Sequence, residues 1–169
     1  MATYVSKIEE IYDGIINFVW TNLPTVITSM NTIANDGITL EMFRDKLLGQ
    51  YDLSNVLHWP TLIIQPATIQ VNPPGKQRPM QKNLFIVNLS FWAVAQGTNT
   101  DTLQRMVFRY ADVIRRIVDG PDYQPSDAII ADSIRQVTAV DFHQSVKEGQ
   151  FIKEAVFVDV SFEVQVQRD

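Results

Sequence analysis

His58 and His143 are the only histidines in the chain, and Asp141 lies two residues before the second. Residues two apart on a strand share a face, so Asp141 could orient His143 as a general base. An exposed polar stripe on a hairpin accounts for the same pair and outweighs the catalytic reading. His58 precedes Trp59-Pro60 at a loop-to-strand boundary, where a structural role outweighs a catalytic one. Two histidines without a nearby set of carboxylates make a poor zinc site. The absence of cysteine removes thiolate ligands, disulfides and cysteine nucleophiles. Pro74-Gly75-Lys76 lacks the first glycine, the Ser or Thr after lysine and the following helix of a phosphate loop. Asn88-Leu-Ser90 matches a glycosylation sequon, but in the middle of a strand in a chain without a secretion signal. No catalytic, cofactor-binding or metal residue is assigned, no cofactor is expected, and the chain reads as something other than an enzyme.

What remains for recognition is charge. Lys76, Arg78 and Lys82 lie in Asn72-Pro-Pro-Gly-Lys-Gln-Arg-Pro-Met-Gln-Lys82, a proline-rich stretch with three bases and no acid. Its prolines around a glycine predict a long, stiff projection between two strands and not a tight hairpin. Arg105, Arg109, Arg115 and Arg116 decorate the polar side of a helix; in a chain that is acidic overall, a solvated face or a subunit contact reads better than a nucleic-acid contact. Lys76, Arg78, Lys82, Arg105 and Arg109 are therefore the candidate partner or subunit contacts.

The elements that must position these residues centre on 84–118. Phe85, Val87, Leu89, Phe91 and Ala93 alternate on one face of a strand over 84–95 whose other face is also mostly apolar, as in the middle of a sheet. A helix over 102–118 follows, with Leu103, Met106, Val107, Tyr110, Ile114, Ile117 and Val118 on one stripe, Asn99 or Thr100 as cap and Asp119-Gly120-Pro121 as stop. Upstream, 3–20 predicts a helix, and Asn22-Leu-Pro24 should end or kink it. A second helical piece should run from Pro24 to about Ala34, and a short third one from Thr39 to Gly49. The pair Thr3 and Ser6 forms no capping box. From Tyr51 the texture turns β-rich: Trp59-Pro-Thr-Leu-Ile-Ile64, extended through 68–71 past Pro66, which should force an edge or a bulge. Residues 132–145 alternate as a strand, with Ile134, Gln136, Thr138, Val140 and Phe142 sharing a face. Lys147-Glu-Gly-Gln150 is a turn, and Val156 to Val166 alternate as a final strand that closes an antiparallel hairpin.

The sum is a single α+β domain over 1–169: a helical part over 1–50 and a β-β-α-β-β part over 59–169. Its layers are a largely antiparallel four-stranded sheet and helices, namely the N-terminal helices plus one long helix between strands 2 and 3. At 169 residues, 46% hydrophobic and 20% charged, the chain has an ordinary globular composition. A chain of this length buries about two thirds of its extended surface. No apolar run approaches a membrane span, and the first residues lack a charged region followed by an apolar one, so the expectation is a soluble protein made in a cytoplasm, with no membrane partner. Net charge is −5 but unevenly laid out: −4 over 1–60, +5 over 61–118 and −6 over 119–169. Opposite-signed segments could steer copies of the chain head-to-tail, or could simply interleave on one folded surface.

In layout, the chain resembles the tail terminator (tail completion) proteins of long-tailed bacteriophages. The shared order is an opening helix, a short strand like Trp59-Pro-Thr-Leu-Ile-Ile64, a strand like 84–95, a long helix like 102–118 and a final hairpin ending like 156–166. The helical stretch 24–50 exceeds that of smaller members, and no short motif carries residue roles across. The resemblance implies a virion protein of the tail or neck, assembled in the host cytoplasm. It implies a homo-oligomeric ring, usually a hexamer, that binds the end of the tail tube protein, stops its polymerisation and meets the head connector protein. In such a ring Lys76, Arg78 and Lys82 would reach a neighbour, the tube or the passing DNA; a plain solvated loop is the equal alternative. Another neck or connector protein, a small ligand- or nucleic-acid-binding module, and a hydrolase or transferase built on Asp141 and His143 are the competing readings.

Overall fold

The computed structural model describes residues 6–49, 52–53, 56–143 and 146–168. The expected helix start at Thr3, the change of texture at Tyr51 and the far end of the expected third strand lie outside them. The chain opens with one helix, α1 (Lys7–Ala34), where two were expected. Its start is marked by Ser6 and Glu9, whose carboxylate accepts a hydrogen bond from the Ser6 backbone N–H at 3.2 Å. Pro24 sits inside α1 without ending it. The proline removes one ladder donor, yet Ile11, Ile15, Val19, Leu23, Val26, Ile27 and Met30 form one continuous buried stripe across it. Nearby, the Asn22 side chain donates to the Phe18 carbonyl at 2.7 Å and Thr28 to that of Pro24 at 2.9 Å. Packing of the stripe outweighs the lost bond.

The expected third helix is absent. Residues 35–44 form a connection that buries Leu40 and Phe43, and Asp45–Leu48 is a strand, β1. It pairs in parallel with Thr61–Ile64 of β2 (Thr61–Val71). Four residues with apolar spacing of three to four satisfy a helix pattern and a tertiary strand alike, and here the free edge of β2 wins. Strands β3 (Lys82–Gly97), β4 (Ile134–Phe142), β5 (Val146–Glu148) and β6 (Phe151–Gln167) complete the sheet. The order is β1-β2-β3-β6-β4, with β5 paired to the start of β6. The sheet is thus six-stranded and mixed, not four-stranded and largely antiparallel, and the long helix, α2 (Thr100–Asp119), lies between β3 and β4. The α+β class itself holds.

β3 and β6 run side by side for their whole length and form the spine. Phe85, Val87, Leu89, Phe91 and Ala93 of β3 and Val156, Val158, Val160, Phe162 and Val164 of β6 are buried in one core with the stripes of α1 and α2. Both helices therefore cover the same face. The other face carries a smaller cluster of Ile63, Val94 and Ala155 beneath Leu53 and Val56, flanked by Trp59, Trp92 and Phe157. Asn99 caps α2 by accepting from the Thr102 N–H at 3.0 Å. Arg135 of β4 donates to the carbonyls of Val118, Gly120 and Tyr123, which fastens the helix end to the sheet. Among the described residues, no helix is long and apolar enough to cross a membrane.

Candidate functional site

Asp141 lies opposite Phe157 on the sheet and the His143 ring stacks on Phe157 at 5.6 Å, so both stand beside Phe157, with no hydrogen bond between them. His58 instead meets the carboxylate of Asp45, Nδ1 to Oδ2, at 2.5 Å, tying the segment before β2 to β1 in an exposed position. Among the described residues, no three His, Asp or Glu side chains gather as a metal site.

The five candidate contact residues fall into different roles. In the β2–β3 connection, Asn72 and Gly75 take left-handed conformations, with φ of 50° and 82°. These turn the loop back, and Lys76 Nζ reaches Glu163 of β6 at 2.7 Å. Beyond that anchor, Arg78, Pro79 and Met80 stand exposed at the tip, Met80 at 89%. Lys82 is half-buried at the start of β3. On α2, Arg105 pairs with Asp101 one turn back at 3.3 Å. Arg109 is turned inward: its side chain is 16% exposed, and its guanidinium binds the Asp36 carboxylate and donates to the Ile38 carbonyl at 2.9 Å. Arg109 therefore holds the connection after α1 against α2. Its hydrogen bond keeps the Asp36 carboxyl below the usual carboxylate range. Arg115 and Arg116 converge on Asp112 at 2.6 and 2.9 Å. Acids within the helix thus largely neutralise its basic face.

The charge pattern did not reveal the exposed apolar surface. Phe108 of α2 and Phe142 of β4 are about half exposed, at 50% and 54%, and meet edge to face at 4.9 Å. They wall a cavity of about 410 Å³ that Gln104, His143 and Glu154 also line. β4 is a free edge of the sheet, and a register shift between Val137 and Ala139 alters its alternation. That bulge puts Val140 and Phe142 on the helix side with Val137, contrary to simple alternation from Ile134. A sequence signal existed for Phe108 alone: a large aromatic among the arginines on a helix's polar side.

The opposite edge, β1, carries a different surface. Leu48 and Ile8 are exposed at 57% and 38%. Beside them, a cavity of about 460 Å³ runs between α1 and the sheet, lined by Tyr12, Ile16, Ile64 and Pro66 with Glu9 and Asp13 at its rim. The two edges differ in shape and in chemistry: an aromatic pair over a carboxylate on one, an aliphatic groove with acidic rim on the other. No protein-family model matches this chain, and no curated protein matches it.

Proposed function

We propose that this protein is a structural virion assembly protein of the tail-terminator kind. Copies close into a ring, a hexamer in the layout it resembles, that caps the tail tube, stops its polymerisation and presents its other face to the head connector. One observation carries this reading: each copy offers unlike, partly apolar surfaces at the two free edges of its sheet. Exposed apolar patches of this kind mark interaction sites. Unlike patches can only meet head-to-tail, and head-to-tail contacts close into rings when the rotation per copy permits. The order of strand, helix and hairpin that carries the resemblance is also the order of β3, α2, β4 and β6 along the chain.

The test is a tube-growth assay with the tail tube protein of the same phage. Tubes polymerising alone grow to broad lengths. Adding this protein should arrest growth at a stoichiometry of one ring per tube and place density at one tube end in negative stain. Unchanged length distributions and bare ends over excess protein would reject the proposal.

A further inference from the structure

The β4-edge cavity contains a group without a partner among the described residues. Glu154 of β6 is only 5% exposed, and neither a hydrogen bond nor an ion pair reaches its carboxylate from any described residue. The carboxylate opens into the cavity, where an incoming cation can reach it and pair with it. Its surroundings suit a cation on an apolar stem, because the rings of Phe108 and Phe142 form the wall and aromatic faces attract guanidinium and ammonium groups. The matching group is on the same chain. At the tip of the β2–β3 loop, Arg78 has no partner among the described residues, and two residues on stands Met80, 89% exposed. A methionine thioether packs well against aromatic edges.

The two cannot meet within one copy. The loop is anchored by Lys76 at Glu163, which pairs with Ile86, whereas Glu154 pairs with Ala95, nine residues further along β3. At about 3.3 Å per residue this separates them by about 30 Å. Building on the ring reading above, we propose that the cavity of Phe108, Phe142 and Glu154 on one copy receives the Arg78-Pro79-Met80 tip of a second copy. Arg78 pairs with Glu154, Met80 lies against the two phenylalanines, and the contact is heterologous, each copy giving a loop and taking one. Lys76 positions the loop for this by tying its near arm to the sheet.

The chain contains no cysteine, so engineered thiols report the contact without background. Met80→Cys and Gln104→Cys proteins are purified separately, mixed and exposed to mild oxidant. The mixture should give a disulfide-linked dimer containing one of each, neither protein alone should link, and the double variant should link into closed multimers. Glu154→Gln, introduced into the Gln104→Cys chain, should lower the yield by about tenfold or more, as should Arg78→Glu in the other chain. Glu154→Gln keeps the side chain's size and breaks no hydrogen bond or ion pair to a described residue, so it should melt close to its parent, and a folding defect cannot mimic the loss. An unlinked mixture, whatever the mass of the unmodified protein, overturns the proposal. So does self-linking of either single variant, which would mean a two-fold contact, and so does capture of the Gln104→Cys chain by cysteine-bearing tube protein instead. The ring reading is judged separately by tube arrest.

Discussion

Arg105 and Arg109 share a face of α2, carry the same charge, and differ in what they hold. Replacing each by Met keeps the helix propensity and the apolar stem while removing the guanidinium. Arg109→Met loses the bond to the part-buried Ile38 carbonyl at 2.9 Å and the pairing with Asp36. A hydrogen bond from a charged donor in such a place contributes about 1–2 kcal/mol, and nothing is added for Asp36, whose contact is open to solvent. For a domain of this size that lowers Tm by about 2–8 °C. Arg105→Met loses only an exposed pair at 3.3 Å, about 0.3–0.5 kcal/mol, and should melt within about 2 °C of the parent. Thermal melts followed by circular dichroism at neutral pH decide between them. The pH dependence has a fixed sign. Asp36 is held below its ordinary value by Arg109, so its contribution is present above the unfolded-state value, about pH 4, and is lost as pH falls through the folded value. The gap between parent and Arg109→Met should therefore narrow in acid. A parent-like melt for Arg109→Met, or a larger loss for Arg105→Met, would refute the assignment of Arg109 to the interior of the fold.

Other perturbations test the frame around the site. Tyr110 is fully buried and donates to the Glu41 carbonyl at 2.8 Å; Tyr110→Phe should cost about 1–2 kcal/mol in urea unfolding without changing the slope. Burial holds the Tyr110 phenol well above its usual range, so its contribution is intact below about pH 10 and is lost on further rise, and the parent should lose stability in alkali more steeply than Tyr110→Phe. A Cβ at Gly120 would stand 2.1 Å from the Arg116 carbonyl oxygen; Gly120→Ala should displace the end of α2 and cost about 1–3 kcal/mol, read from the same unfolding curves. Phe142→Ser, at a half-exposed edge position, should leave the monomer's melt within about 5 °C while weakening self-association about tenfold or more in sedimentation velocity.

The spine of the molecule was legible because its period is unambiguous. Phe85 to Ala93 and Val156 to Val166 alternate over enough residues to exclude a helix, and the stripe from Leu103 to Val118 does the reverse, so β3, β6 and α2 came out within a few residues. The failures share a cause: each was decided by partners distant in sequence. Pro24 signals a break locally, and only the shared core of Leu23, Val26 and Ile27 keeps α1 whole. Leu47 and Leu48 fit a helix until the edge of β2 offers backbone bonds. The helix start is written in the sequence as Ser6-Lys-Ile-Glu9, a capping box three residues beyond Thr3. At the site, charge counts could not show that Arg109 points inward or that Lys76 folds onto Glu163. They also could not show that a bulge in β4 turns Phe142 toward Phe108, since alternation carries no record of a bulge.

The central claim is that copies of this chain close into a ring that terminates a tube. Its most direct test is the solution mass by light scattering, with negative-stain imaging of the same sample, alone and after addition of tail tube protein. Annular particles of about six copies, free or seated on tube ends, are expected. A monomer that stays monomeric, and leaves tube ends bare at every concentration, would contradict it.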